Sequence, residues 1–269
     1  MLSFVDRLAA GWEDARAHLP LALVPLLTAL LHTDKIAAVL AADGTHFGVR
    51  LGLPATVVDL WGFVSVPNEG VNVDLGGPVG FPLALIVLPL ALAIRAGLAA
   101  GYFGSVRDAL ATGSYDFAAN ARRYFVPFLV YTFVPVLLLL PLVLLGLSGA
   151  RGVLLPLVVV LVPVVAVVTY LFYATPYILV LRETDLVSAA RASYALALAG
   201  GPYLYFAVGF AAFVLLVSAV ATAVVVNLGA VGVALGAIVA APVGLAANAT
   251  AMRFVADVDP ESPPFGAEA

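Results

Sequence analysis

The 269-residue sequence contains no cysteine, one lysine and few charged side chains of either sign. The absence of cysteine excludes disulfides, thiolate nucleophiles and cysteine-ligated metal sites. Charged residues make up 10% of the chain and hydrophobic residues 64%, so polar side chains are too few to coat a soluble protein of this length. The composition therefore predicts an integral membrane protein that uses lipid as part of its solvent.

Motifs for catalysis and for nucleic-acid binding are also missing. The net charge of -4 and the scattered cations offer no basic face, which argues against nucleic-acid partners. His18, His32 and His46 have none of the spacings of a metal site. The sequence has no phosphate-binding glycine loop and no nucleophile elbow. We therefore predict no catalytic residue, no cofactor and no metal.

Six apolar stretches are long enough to cross a bilayer core, which needs about 20 residues of helix. They lie near residues 19–41, 79–101, 124–147, 153–181, 203–226 and 229–254. The first is the weakest, because His32, Asp34 and Lys35 interrupt it. We predict an all-α polytopic membrane protein in which residues 1–254 form one six-helix domain and residues 255–269 form a short, disordered acidic tail.

The distribution of cations predicts the orientation, because arginines near span ends are retained on the cytoplasmic side. If both termini are cytoplasmic, eight cations are inside: Arg7, Arg16, Arg107, Arg122, Arg123, Arg182, Arg191 and Arg253. Only Lys35, Arg50 and Arg151 remain outside. The sequence thus predicts a multi-pass cell-membrane protein with cytoplasmic N- and C-termini.

Two cytoplasmic segments are predicted to be amphipathic helices. The first begins at a Ser3 and Asp6 capping box and is expected to lie on the membrane surface. The second, residues 184–199, opens with the cap candidates Thr184 and Asp185. Its predicted apolar face consists of Leu186, Val187, Ala190, Tyr194 and Leu198.

The outer loop at 43–77 is longer than most structureless connections. Within it, FVSV, PNEG and VNVD at 63–74 alternate apolar and polar residues around a turn, which predicts a small extracellular hairpin. The hairpin could be a self-packed cap over its own apolar face. It could instead cover the outer mouth of the bundle or meet a partner.

Small residues at four-residue spacing predict close helix packing in two spans. Span two has Ala93, Gly97, Gly101 and Ser105 in one row. Span six has Gly232, Gly236, Ala240, Gly244 and Asn248. We predict that both spans are buried in the bundle.

Arg95 lies in the middle of span two, where an arginine costs about 2.5 to 3.5 kcal/mol on insertion scales. No acid lies within the spans except Asp34, so a buried ion pair is not expected. Arg95 could reach toward the interface and donate to tyrosine hydroxyls and freed carbonyls. It could instead bind an anionic lipid headgroup or substrate. The candidate residues for an anion or lipid site are Arg95, Tyr102, Tyr131, Tyr170 and Tyr173.

The run TPYILVLRETDLVSAARASYALALAGGPYLY at 175–205 places a span, a charged turn, an amphipathic helix and a new span in sequence. Over residues 95–225 this pattern resembles uncharacterised prokaryotic polytopic membrane domains, including the membrane region of some glycerophosphodiester phosphodiesterases. The resemblance implies a six-helix bundle with inner amphipathic helices. It carries over no catalytic residue.

These observations favour a non-enzymatic membrane scaffold or accessory subunit. Its expected partners are membrane lipids and either another membrane protein or a second copy of the chain. The alternative is a carrier or flippase for a small or lipidic anion, which requires a water-filled cavity leading to Arg95. An intramembrane enzyme would need two convergent acid or base groups, which the sequence does not show.

Overall fold

The computed structural model describes residues 3–67, 77–147 and 151–265 of the chain. Regular structure in these three ranges is helical, without a β-strand. The helices are α1 (Phe4–Ala17), α2 (Leu23–Leu30), α3 (Thr33–Leu40), α4 (Gly77–Thr112), α5 (Phe117–Leu147), α6 (Arg151–Phe172), α7 (Thr175–Leu181), α8 (Leu186–Ala199), α9 (Pro202–Asn227) and α10 (Gly229–Val258). Short 3-10 turns lie at Leu19–Ala22 and Leu60–Gly62.

Five helical stretches are long and apolar enough to cross a membrane. They are Val87–Thr112, Phe117–Leu138, Val159–Leu181, Pro202–Asn227 and Gly229–Val258. The first predicted span is broken instead: Leu19–Leu30 and Thr33–Leu40 meet at an angle of 64°. The chain is therefore an all-α, multi-pass membrane protein.

Helix α10 is at the centre of the bundle, and α1, α2, α3, α7 and α9 all pack against it. Nearly every residue of α10 from Gly244 to Ala256 is buried. The bundle has two ends, which we name by their residues. The turn end carries the connection at Leu228 between α9 and α10, and the arginine end carries α1, the 182–185 turn and Asp259.

Helix α1 begins with the predicted capping box, in which Ser3 Oγ accepts from the Asp6 amide and the Ser3 amide donates to the Asp6 carboxylate. It then packs along the last turns of α10. Arg7 pairs with Asp257 at 2.5 Å, and Arg253 binds Asp14 through two nitrogens at 2.5 and 2.8 Å. Helix α1 is thus part of the bundle at the arginine end and is tied to it by ion pairs.

The close approach of α1 to α10 depends on Gly11. A Cβ on Gly11 would lie 2.1 Å from Thr250 Oγ1 and 2.6 Å from the Ala246 carbonyl oxygen. We expect Gly11→Ala to destabilise the fold by about 1–3 kcal/mol, as overpacking of a core does. A lower thermal midpoint and faster tryptic cleavage at the exposed Arg16 would report this change. Gly97→Ala is the matched control, since its Cβ would meet Phe125 at an ordinary 3.7 Å. Equal effects of the two substitutions would refute the packing argument.

Helix α8 packs on the bundle through a face of small residues. Its buried residues are Ala189, Ser193 and Ala197, which share one face at four-residue spacing. Val187, Tyr194 and Leu198, which belong to the predicted apolar face, are 58%, 44% and 65% exposed in the bundle. Small residues pack against the bundle because they permit close approach, while lipid accommodates the large apolar ones.

Two further predictions differ from the structure. In the predicted hairpin, residues 63–66 are non-strand backbone in which Phe63, Val64 and Val66 are buried, and the segment from residue 68 to 74 lies outside the described residues. The predicted disordered tail begins inside α10, which continues to Val258. Beyond it, Asp259 and Ser262 are buried. Both differences arise because residues distant in sequence bind polar groups of these segments: Thr222 accepts from the Ser65 amide, and Arg182 donates to Asp259.

Candidate functional site

The connection between α3 and α4 enters the bundle instead of covering it. We call residues 46–66 the inserted loop. Its entry is at the turn end, where Asn227 binds both the amide and the carbonyl of His46 at 2.8 and 2.9 Å. Its deepest part reaches Asn248, which is 19 residues, about 28 Å, along α10 from Gly229. That length is close to the thickness of a bilayer core, about 30 Å.

A glycine in α10 makes room for this backbone, because a Cβ on Gly244 would lie 1.9 Å from the Val58 carbonyl oxygen. A Cβ on Gly236 would meet side chains of both neighbours, Val225 of α9 at 2.6 Å and Leu60 of the loop at 3.1 Å. Gly232, nearer the turn end, lies against the backbone of Val225 in α9. The small-residue row of span six therefore packs against α9 at one end and against the inserted loop at the other. Ala240, between them, is buried.

Asn248 binds the deepest part of the inserted loop. Its Oδ1 accepts from the Val58 amide at 2.9 Å, and its Nδ2 donates to the Thr56 carbonyl at 3.0 Å. Nδ2 also donates to the Tyr177 hydroxyl at 2.8 Å, and the Tyr102 hydroxyl donates to Oδ1 at 3.2 Å. Backbone without helical hydrogen bonds is tolerated at membrane depth only where protein groups satisfy it. Asn248 meets that requirement here.

Tyrosine hydroxyls satisfy the adjacent loop carbonyls. Tyr177 donates to the Pro54 carbonyl and Tyr131 to the Ala55 carbonyl, each at 2.7 Å. On α9, Ser218 Oγ accepts from the Arg50 amide at 2.7 Å and Thr222 Oγ1 from the Ser65 amide at 2.9 Å. The two arms of the loop are joined by a 3.1 Å contact between the His46 ring and the Ser65 carbonyl.

A charged cluster forms where the break in the first span meets the loop and α4. The Arg95 guanidinium donates to His32 Nε2. His32 Nδ1 lies 2.8 Å from the Thr28 carbonyl oxygen and 3.6 Å from Asp59 Oδ2. A carbonyl can only accept, so Nδ1 carries the hydrogen and Nε2 is free to accept from Arg95. The prediction considered only acids within the spans, whereas the inserted loop brings Asp59 into the cluster beside His32.

Trp61 fixes the loop beside this cluster. Its indole nitrogen donates to the Ala29 carbonyl at 2.7 Å, at the end of α2. Its amide donates to Asp59 Oδ1 at 2.9 Å, which caps the Leu60–Gly62 turn. Trp61 is 2% exposed, and the Lys35 ammonium lies 6.0 Å from its ring centre. The broken span and the inserted loop are therefore packed together as one unit.

The structure does not bring the five predicted anion-site residues together. Arg95 is in the charged cluster, whereas Tyr102 and Tyr131 belong to the network that holds the inserted loop. Tyr170 donates to the Ala197 carbonyl at 3.0 Å, and Tyr173 stacks on Tyr203 with ring centroids 4.5 Å apart. The proposed donation from Arg95 to tyrosine hydroxyls is thus replaced by donation to His32.

The glycines of span two face α5. A Cβ on Gly101 would lie 2.5 Å from the Phe117 ring, and one on Gly97 would reach Phe125. Gly104, which the predicted row omits, lies equally close to Asn120. Helices α4 and α5 therefore form a tight pair, and α4 reaches α10 through the hydrogen bond from Tyr102 to Asn248.

A second polar region lies at the arginine end, in the turn between α7 and α8. Arg182 binds the buried Asp259 through two nitrogens and pairs with Glu261. Burial alone raises the pKa of Asp259, but hydrogen bonds from Arg182 and Ser262 outweigh it and hold this pKa below its ordinary value. These contacts anchor the segment after α10 to the 182–185 turn.

Glu183, the next residue in this turn, has a left-handed backbone at φ 52°, which is uncommon for a residue with a side chain. Its carboxylate bridges Arg107 at 2.9 Å and Arg123 at 2.5 Å. The turn therefore joins α4, α5 and the C-terminal segment. A shallow cavity of about 560 Å³ opens beside it, lined by Arg107, Arg182, Glu183, Thr184, Ser188 and Glu261.

The chemistry of these two regions is that of hydrogen bonding and ion pairing. Within the described ranges, no three histidine or acidic side chains come together as a metal site. Arg107 and Arg182 of the shallow cavity are both in ion pairs, and a second cavity, of about 10 Å³, lies beside Asp14 and His18. Neither of these two cavities is lined by Arg95.

Sequence reasoning missed His32, Asp59, Tyr177, Ser218, Thr222 and Asn227 as functional groups. The available signal was the row of polar residues in otherwise apolar α9, where Ser218 and Thr222 are fully buried at four-residue spacing. No protein-family model, no curated protein and no solved structure matches the chain.

Proposed function

We propose that this chain is a non-enzymatic membrane scaffold or accessory subunit. In the proposed arrangement it crosses the cell membrane six times, counting the broken pair α2 and α3 as one span, with both termini cytoplasmic. The arginine end then faces the cytoplasm, in line with the retention of cations there. The resemblance to prokaryotic polytopic membrane domains fits this arrangement.

One observation carries the proposal: the polar side chains that surround the inserted loop, and Arg95 beside it, are engaged by the protein itself. Asn248, Tyr131, Tyr177, Ser218 and Thr222 bind the inserted loop, and Arg95 donates to His32. A solute would have to displace these contacts to bind in the interior. Such an interior supports a rigid bundle better than a permeation path.

The middle of α6 offers a surface for a partner. From residue 159 to 168 every side chain except Leu161 is exposed, including Val162 at 65% and Val165 at 49%. A helix that is apolar all round and barely packed in its own chain is suited to contact with another membrane helix. The occupant we propose is a helix of a different membrane protein.

Site-specific photo-crosslinking in native membranes tests this proposal. A photoreactive residue at position 162 or 165 is expected to give one protein adduct of discrete mass. The matched controls are positions 216 and 220 on α9, which are 73% and 66% exposed and are expected to give lipid adducts only. Lipid adducts alone at 162 and 165 would overturn the proposal. An adduct between differently tagged copies would replace the partner with a second copy.

A second candidate function, a carrier for a small or lipidic anion, is favoured by the charged cluster. Broken helices and intramembrane charges near the midplane are features of transporters. Reconstituted protein would then move an anion or scramble anionic lipid, and Arg95→Leu would abolish that flux. Absence of flux from correctly folded parent protein would eliminate this candidate and leave the scaffold.

A further inference from the structure

The eight arginines of the arginine end fall into two classes. Five are in ion pairs with acids of the chain: Arg7, Arg107, Arg123, Arg182 and Arg253. The other three, Arg16, Arg122 and Arg191, are exposed and have no ion pair with any residue that the structure describes. The protein therefore leaves a specific subset of its cations uncompensated.

Each uncompensated arginine has an exposed apolar side chain one helical turn away. Arg191 lies between Val187 and Tyr194 on the exposed face of α8, at spacings of four and three residues. Val187 is 58% exposed and Tyr194 is 44% exposed. Residues three and four apart on a helix are surface neighbours, so the guanidinium and these apolar groups form one stripe, which continues to Leu198.

The same arrangement recurs on α1 and α5. Arg16 lies one turn from Trp12, which is 41% exposed, and Arg122 lies one turn from Val126, which is 65% exposed. An exposed arginine facing only water has no need of apolar neighbours. An arginine flanked by tyrosine, tryptophan or valine matches the boundary between headgroups and acyl chains.

We propose that Arg16, Arg122 and Arg191 are binding sites for the phosphate headgroups of anionic phospholipids, with their apolar neighbours against the first acyl carbons. A phosphate oxygen offers the acceptors that the free guanidinium lacks. The five paired arginines take no part, because carboxylates of the chain already occupy them. This inference rests on the membrane location of the chain and does not depend on the scaffold function.

Tryptophan quenching by brominated lipid measures the preference at one site. The parent for this experiment carries Trp12→Phe and Tyr194→Trp, which places a reporter one turn from Arg191. Trp61, the one other tryptophan, is buried and supplies a constant background. Brominated phosphatidylglycerol and brominated phosphatidylcholine are compared in bilayers of both lipids. The association constant for phosphatidylglycerol is expected to exceed that for phosphatidylcholine by a factor of about five, which is the effect of one arginine at an anionic surface.

Arg191→Gln is expected to lower this ratio to about one, and 1 M salt is expected to lower it in the parent, because the Debye length is then about 3 Å. A reporter at position 216 in α9, which is distant from these arginines in sequence and 73% exposed, is expected to give a ratio near one in both backgrounds. Unchanged Trp61 emission shows that each variant is folded.

Arg122 and Arg123 provide a matched pair, since they are adjacent and both exposed. With a tryptophan at position 126, Arg122→Gln is expected to lose the phosphatidylglycerol preference, while Arg123→Gln, which breaks the pair with Glu183, is expected to keep it. A ratio near one in the parent, or an unchanged ratio after Arg191→Gln, would overturn the inference. So would weak quenching by both lipids at position 194, which would show that the stripe does not contact lipid.

Discussion

Replacing Asn248 by leucine is expected to release the inserted loop and to give the largest loss of stability among single substitutions in the interior. The change leaves the Val58 amide and the Thr56 carbonyl without partners. Each unpaired buried polar group costs about 1–3 kcal/mol, so the two together are expected to lower the free energy of unfolding by about 2–6 kcal/mol. In the Trp12→Phe background, Trp61 is the one tryptophan left, and its emission is expected to shift to longer wavelength as the loop becomes hydrated.

Asn227→Leu is the matched control for Asn248→Leu. Asn227 also binds one amide and one carbonyl of the loop, at 2.8 and 2.9 Å, but it is exposed at the turn end. Water can replace its hydrogen bonds, so we expect a loss of about 0.5–1.5 kcal/mol. Thermal midpoints by circular dichroism compare the two variants. Equal midpoints would show that the deep contact is no more important than the one at the entry.

Arg182→Gln is expected to have the second largest effect, by detaching the segment after α10. Asp259 would remain buried with a charge and without the guanidinium that balances it. Breaking a buried ion pair in this way costs about 3–5 kcal/mol. The thermal midpoint is expected to fall, and protease is expected to remove the C-terminal residues. Glu261→Gln is the control, because Glu261 is 73% exposed and such surface pairs contribute about 0–1 kcal/mol.

The stabilisation from Asp259 depends on pH in a defined direction. Its folded pKa is lowered, so its contribution is present above the ordinary aspartate pKa, about 3.9, and is lost as the pH falls through the folded value. The difference in thermal midpoint between the parent and Arg182→Gln is therefore expected to be full at pH 7 and to shrink below about pH 4. A difference that stays constant from pH 7 to pH 3 would contradict the ion pair as its source.

Features that depend on local composition could be predicted from the sequence. Apolar runs of about 20 residues predicted the long helices, and Ser3 with Asp6 predicted the start of α1. Glycine spacing predicted close approach along α4 and α10. Each of these signals lies within a single helix. An apolar segment that crosses lipid must form a helix, because only helical hydrogen bonds within the segment satisfy its backbone there.

Features that depend on long-range pairing were not predictable. Asp59 belongs to a loop that reads as external, and nothing near it indicates that Asn248, 190 residues after Val58, will bind that loop. His32 was interpreted as an interruption of the first span, whereas its ring is the acceptor for Arg95. Hydrophobicity gave no signal for the face with which α8 packs on the bundle, because that face consists of small residues, which permit close approach between helices.

The inserted loop also imposes an order on biogenesis. The ribosome makes the loop well before it makes Asn248, and at about 5–20 residues per second the 190 intervening residues take about 10–40 seconds. During this interval the loop amides and carbonyls must be solvated by water or by the insertion machinery, because bilayer hydrocarbon cannot bind them. The bundle can therefore close only after its last helix is in place. A nascent chain truncated before α10 would expose the unpaired backbone groups of the loop to cellular quality control.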